Sequence, residues 1–80
     1  MARVMLVDDD RKLLELYEKI FELNGFEVMP CENGHSALEV IGKEDIAVVV
    51  SDIIMPKMNG MELLKQIKLK SPDTEVIMLT

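Results

Sequence analysis

The chain has 80 residues, a formal net charge of −6 and an apolar fraction of 49%, which together predict one small folded domain rather than a disordered segment. The acidic balance argues against direct nucleic-acid binding, because such an interface needs a basic face. No apolar stretch approaches the roughly 20 residues of a membrane span, and the N-terminus lacks the pattern of a signal peptide.

The first predicted element is a buried strand over Arg3–Val7, a continuous apolar run that ends abruptly in Asp8, Asp9 and Asp10. Either of the last two aspartates can cap the helix that follows. The first strand therefore delivers acid to its C-terminal end.

A helix is predicted from residue 11 to residue 23, with Asn24-Gly25 as its left-handed stop. Its apolar side chains recur at the spacing of one helix face, at Leu13, Leu16, Tyr17 and Ile20. Leu14 and Phe21 add apolar surface beyond that face, so we expect this helix to contact more than one neighbour.

Residues 26–31 predict a second strand, and Pro30 places it at an edge of the sheet because proline has no N–H for a central ladder. Cys31 is the only cysteine, so the chain can form no internal disulfide, and a reducing cytoplasm is the expected location. A short helix around residues 37–41 follows and is closed by Gly42. His35 opens this helix, and we expect it to be solvated.

The third strand is the apolar run that begins at Ala47 and delivers one carboxylate, Asp52, to its end. A loop punctuated by Pro56 and Gly60 comes next, followed by a third helix and a fourth apolar strand, Val76 to Leu79. Strands that alternate with amphipathic helices indicate an α/β fold with parallel strands and right-handed crossovers.

Three carboxylates are expected to meet in this fold. Ligands bind at the carboxyl ends of the strands in open parallel sheets, and neighbouring strands that end in Asp would bring Asp8, Asp9 and Asp52 together there. Their charges repel unless a cation intervenes, and a small site of oxygen ligands favours Mg²⁺. A carboxylate beside Mg²⁺ is well placed to attack phosphorus and form an aspartyl phosphate.

Three separated motifs resemble the receiver domain of bacterial two-component response regulators: the Asp8-Asp9 pair, the D-x-x-M-P-x-x-x-G stretch from Asp52 to Gly60, and Thr80. The resemblance covers the whole chain. It implies a flavodoxin-like sheet of order 2-1-3-4 in a partial (βα)3β arrangement. Residues 1–80 would form a single, truncated receiver domain that lacks the fifth strand, with its Lys-Pro dipeptide, and the last two helices.

The resemblance also implies roles for individual residues. Asp52 would be the phosphoacceptor, Asp9 a direct Mg²⁺ ligand and Asp8 a ligand mostly through water. Ile54 would give its backbone carbonyl to the metal, and Thr80 would be the switch hydroxyl that moves onto the phosphoryl group. The phosphoryl donor would be a sensor histidine kinase, a phosphotransfer protein or a small molecule such as acetyl phosphate. The chain would be a signalling domain rather than an enzyme, limited to self-phosphorylation from small donors and autodephosphorylation.

Two other interpretations remain open at this stage. The first is a phosphohydrolase with a D-x-D pair, in which Asp8 is the nucleophile and Asp10 its partner; such an enzyme would want Thr at the position of Lys12. The second is a structural or assembly fragment of a receiver-like fold without switching activity. We also expect self-association, because the fourth strand and the first-helix face leave apolar surface uncovered.

Overall fold

Strands and helices alternate along the chain in the order that the apolar periodicity predicts. The computed structural model describes residues 3–79. The elements are β1 (Arg3–Val7), α1 (Arg11–Leu23), β2 (Glu27–Cys31), α2 (Gly34–Ile41), β3 (Val48–Asp52), α3 (Gly60–Lys70) and β4 (Glu75–Leu79).

The strands form one parallel sheet of order β2-β1-β3-β4. This order confirms the prediction, including the edge position of β2, where Pro30 lies opposite Leu6 of β1. Because β1 and β3 are the two central strands, the residues that follow them come out side by side at the carboxyl edge of the sheet. That edge carries the acidic residues at the ends of both strands.

Two apolar layers flank the sheet. The larger lies under α2 and α3 and includes Met5, Val49, Leu63 and Ile67, each fully buried. The smaller lies under α1 and contains Val4, Leu6, Leu14 and Val50. Alternation along β1 and β3 sends successive side chains to opposite layers, which is why both strands read as continuous apolar runs.

Helix α1 begins and ends at the predicted residues but turns a different side toward the sheet. Asp10 is its N-cap and accepts from the Lys12 and Leu13 N–H groups. Its buried side is formed by Leu14, with Tyr17 and Phe21 packed beside it. Of the predicted face only Tyr17 points inward, whereas Leu13, Leu16 and Ile20 are 40%, 50% and 45% exposed.

The turn after α1 explains why β2 begins one residue later than predicted. Gly25 has a φ of +86°, the left-handed conformation that favours glycine. The Phe26 N–H donates to the Phe21 carbonyl at 3.1 Å, and the two rings pack at a centroid distance of 5.7 Å. Phe26 therefore belongs to the end of the helix rather than to the strand ladder.

Strand β4 lies at the second edge of the sheet. Val76 packs on the larger apolar layer, while Ile77 and Leu79 face outward and are 51% and 37% exposed. Within residues 3–79, β4 pairs with β3 alone. No helix in this part of the chain has the length and hydropathy needed to cross a membrane.

Candidate functional site

Three aspartates converge where β1 and β3 end. The register of these strands closes with Val7 opposite Ser51, so Asp8 and Asp52 are the next residues out on each side. Asp8, Asp9 and Asp52 each place a carboxylate oxygen so that these three atoms lie within 4.8 Å of one another. The structure thus brings together the three acidic side chains that the sequence placed at this edge.

Asp8 has the most buried carboxylate of the three. It is 7% exposed, and its Oδ1 accepts from the Asp10 N–H at 2.9 Å. Burial raises the pKa of Asp8, and the negative charges of Asp52, Asp9 and Asp10 raise it further, while the hydrogen bond from the Asp10 backbone opposes these effects. The Asp8 carboxyl is therefore harder to ionise than an ordinary aspartate.

The donor set fits a hard divalent cation. Three carboxylates supply only oxygen ligands, Asp9 is exposed and Asp52 is half-buried, so the site has room for water and a ligand oxygen. Mg²⁺ is usually bound directly by one or two carboxylates and keeps several waters, through which a third carboxylate can contact it. Asp10 is excluded from the cluster because its carboxylate caps α1.

Two predicted site residues stand apart from this cluster. Ile54 lies in the loop after β3, two residues beyond Asp52, and its side chain is 83% exposed. An isoleucine in that position can contribute only its backbone carbonyl to a metal. Thr80 lies outside the described residues.

A hydroxyl that sequence reasoning did not single out contacts the backbone of Asp52. Ser51 is completely buried, and its Oγ donates to the Asp52 carbonyl at 2.9 Å. The loop folds back tightly beyond it, since the Gly60 N–H donates to the Ile53 carbonyl at 2.7 Å. A Cβ at Gly60 would overlap the Asp52 carbonyl oxygen, so only glycine permits this close approach.

An open cavity of about 410 Å³ adjoins the acidic cluster on the side of α2. It is lined by Asp9, Glu32, Asn33, His35, Ser36, Met55, Pro56 and Lys57. Lys57 has a φ of +68°, in the left-handed region that a non-glycine residue adopts at a cost. His35 is exposed as predicted, but it also borders this cavity. The position of His35 beside the cavity could have been predicted from the sequence, because α2 begins just after β2 and the carboxyl ends of parallel strands lie at one edge of the sheet.

An exposed ion pair ties α1 to the residue after β2 beside this cavity. The Arg11 Nε and a second guanidinium nitrogen donate to the two carboxylate oxygens of Glu32 at 2.7 and 3.3 Å. The hydrogen bonds from Arg11 lower the pKa of Glu32. This pair holds a charged rim around the site, although an exposed pair adds little stability.

The chain matches a known protein-family model over nearly all of its length. The family model described as the response regulator receiver domain matches residues 4–80. The transcriptional regulatory protein CpxR homolog of Haemophilus influenzae is 44% identical over 80 residues, which is 100% of this chain and 34% of that protein. The chain thus spans about a third of the length of this curated relative.

Solved structures of response regulators resemble this chain in both sequence and fold. The response regulator TrrA of Thermotoga maritima, in complex with Mg²⁺-BeF, is 34% identical with a TM-score of 0.95, and the match covers 100% of this chain and 70% of that one. A structure of histidine kinase ThkA in complex with TrrA matches with a TM-score of 0.94 at 34% identity, covering 100% and 69% of the two chains. The parallel sheet of order 2-1-3-4 with three helices is a flavodoxin-like arrangement. By its motifs, its fold and these matches, the chain belongs to the family of response regulator receiver domains.

Proposed function

We propose that this chain accepts a phosphoryl group on Asp52 in two-component signal transduction, in a reaction that depends on Mg²⁺. The observation that carries the proposal is the convergence of the Asp8, Asp9 and Asp52 carboxylate oxygens within 4.8 Å at the carboxyl edge of the sheet. Membership of the receiver family, and a relative solved with Mg²⁺-BeF, support the same conclusion.

The chemistry follows from a half-buried carboxylate beside two others. A carboxylate oxygen of Asp52 attacks the phosphorus of the donor, a P–O bond forms, and the P–N bond of a phosphohistidine breaks as the leaving imidazole takes up a proton. A cation held at the three carboxylates would neutralise the negative charge on the phosphoryl oxygens. Asp9 and Asp52 would bind it directly, and Asp8 would bind it mostly through water.

The remaining assignments belong to the same proposal. Ile54 would give its backbone carbonyl to the metal, and Thr80 would be the hydroxyl that approaches the phosphoryl group. The donor would be a sensor histidine kinase or a phosphotransfer protein, as the kinase complex of TrrA suggests, or a small acyl phosphate. The full-length protein would relay the signal to an output domain or target in the cytoplasm. Catalysis by this chain would be limited to self-phosphorylation from small donors and autodephosphorylation.

Intact-mass spectrometry tests the phosphoacceptor directly. The chain is incubated with acetyl phosphate, with and without Mg²⁺, beside the variants Asp52→Asn and Asp73→Asn. We expect the mass of one phosphoryl group on the wild type only when Mg²⁺ is present, and none on Asp52→Asn. Asp73 is exposed in the turn before β4, at the opposite end of the sheet, so its variant is expected to label like the wild type.

The same experiment separates this proposal from a D-x-D phosphohydrolase. That enzyme would use Asp8 as nucleophile and Asp10 as partner, so it would keep its covalent label in Asp52→Asn. The geometry disfavours a D-x-D phosphohydrolase, because the Asp10 carboxylate accepts hydrogen bonds from the Lys12 and Leu13 N–H groups at the start of α1. Label that persists on Asp52→Asn would overturn the assignment of Asp52.

We also infer that the chain associates with itself. The outward faces of β4 and α1 expose apolar side chains, and β4 offers an edge to a further strand. The purely structural alternative, an assembly fragment without phosphoryl acceptance, would show this association and no phosphorylation.

A further inference from the structure

The peptide group between Asp52 and Ile53 lies where the two central strands separate. Its N–H donates to the Leu79 carbonyl of β4 at 3.2 Å. Because the N–H and C=O of a trans peptide point in opposite directions, the Asp52 carbonyl points away from β4, toward the side of β1. The orientation of this peptide therefore sets the direction in which the Asp52 side chain and the following loop leave the strand.

Strand β1 supplies no ladder partner at that point. Its pairing with β3 ends at Val7 opposite Ser51. The next N–H of that chain, from Asp8, donates to the Cys31 carbonyl of β2 at 3.1 Å, on the other side of β1. In a continued parallel ladder the Asp9 N–H would donate to the Asp52 carbonyl, but the pairing of β1 with β3 ends before that residue.

The Ser51 hydroxyl supplies a donor to this carbonyl. Its Oγ lies 2.9 Å from the Asp52 carbonyl oxygen, and the residue is fully buried. The bond is part-buried, and a carbonyl partly shielded from water gains from a donor, so the hydroxyl favours this one orientation of the peptide. Gly60 also lies against this carbonyl, since any side chain there would overlap its oxygen.

We propose that Ser51 is a positioning residue for the acidic site: its hydroxyl, bonded to the Asp52 carbonyl where β1 leaves β3, sets the Asp52 carboxylate and the Ile53–Ile54 backbone for Mg²⁺. This inference rests on the proposed function, because it assigns Ser51 to the same site. It goes further in naming a residue that touches neither metal nor phosphoryl group. Groups that orient metal ligands typically change affinity about tenfold or more when removed.

Calorimetric titration with Mg²⁺ tests the proposal on the whole chain. Ser51→Ala removes the hydroxyl, and we expect its Mg²⁺ dissociation constant to rise about tenfold. Ser51→Thr keeps the hydroxyl and is expected to restore most of the affinity. If Ser51→Ala does not fold, Ser51→Cys provides a similar volume with a weaker donor, and an intermediate loss is expected.

A second buried hydroxyl gives the matched control. Thr74 is 3% exposed, and its Oγ1 donates to the Ile46 carbonyl at 3.0 Å at the opposite end of β3. Thr74→Val removes that bond and should lower the melting temperature without Mg²⁺, as Ser51→Ala should, but it should leave Mg²⁺ affinity unchanged.

The possible failures can be told apart. Wild-type Mg²⁺ affinity in Ser51→Ala, or an equal loss in Thr74→Val, would overturn the positioning role while the wild type still binds the metal. A wild-type chain that binds no Mg²⁺ would instead overturn the proposed function.

Discussion

Asp8 shows how the fold maintains an acidic cluster that a cation can relieve. Its carboxyl is 7% exposed and has a raised pKa because of burial and of the charges on Asp52, Asp9 and Asp10. A carboxyl whose pKa is higher in the folded state binds more protons when folded than when unfolded. The stability of the folded state therefore falls as the pH rises from the ordinary aspartate pKa of 3.8 through the raised pKa of folded Asp8. Above both pKa values the full cost of ionising Asp8 in the folded state is present.

The variant Asp8→Asn tests this residue. Without Mg²⁺ we expect it to melt at a higher temperature than the wild type at neutral pH, because one negative charge is removed while Oδ1 can still accept from the Asp10 N–H. The difference should narrow as the pH is lowered toward 3.8. Millimolar Mg²⁺ should raise the melting temperature of the wild type and raise that of the variant less.

Melting curves recorded across pH, with and without Mg²⁺, make the measurement, and Asp73→Asn is the control because it removes an exposed carboxylate far from the cluster. A wild-type melting temperature that does not respond to Mg²⁺ would show that the three carboxylates do not form a cation site in solution.

The residues of this site differ in how readily the sequence reveals them. Asp8, Asp9 and Asp52 could be predicted to meet, because parallel strands end at one edge and each carboxylate follows an apolar run. The part played by Ser51 could not, because it depends on where the β1 ladder stops and on which way one peptide points. A serine inside an apolar run is otherwise ordinary.

Helix α1 shows where the sequence determines an element but not its orientation. The N-cap at Asp10 and the turn at Gly25 fix both ends; the turn was predicted, and Asp10 is one of the two aspartates predicted as caps. The apolar periodicity of the sequence allowed two overlapping faces of this helix to be the buried one, because seven of its side chains are large and apolar. The choice between them is made by tertiary packing: Leu14 fits the layer formed by Val4, Leu6 and Val50.

Two alanine substitutions on α1 distinguish these faces. Leu14 is 6% exposed, so Leu14→Ala should lower the free energy of unfolding by about 2–5 kcal/mol through lost burial and the cavity left behind. Leu16 is 50% exposed, and Leu16→Ala should change it by less than about 0.5 kcal/mol. Urea denaturation followed by circular dichroism measures both. Equal losses would mean that the helix is rotated from the orientation described.

At the scale of the whole molecule, the sheet has one well-covered face and one that is partly open. Helices α2 and α3 cover the larger apolar layer, whereas α1 alone covers the smaller one within residues 3–79. The strand order was predictable, because Pro30 placed β2 at an edge and the resemblance supplied the rest. How much of the other face stays open was harder to predict from the sequence, because it depends on which side of α1 turns toward the sheet.

The outward side chains of this open face define the surface available for association. On β4 they are Ile77 and Leu79, which alternate with the inward Val76. On α1, Leu13, Leu16, Ile20 and Leu23 are between 40% and 86% exposed. An exposed apolar strand at a sheet edge is a template for pairing with another chain.

We therefore expect the 80-residue chain to form dimers or larger species at roughly tens of micromolar, as measured by light scattering coupled to size exclusion, because burying this surface is favourable. Ile77→Lys places a charge on the exposed face of the edge strand and should shift the population toward monomer. Leu69→Lys is the matched control, since Leu69 is 78% exposed on α3, which covers the opposite face of the sheet from Ile77, and its replacement should leave the association unchanged. A wild-type chain that is a monodisperse monomer at these concentrations would refute the expectation. An equal shift in both variants would indicate that general hydrophobicity, rather than the β4 edge, drives the association.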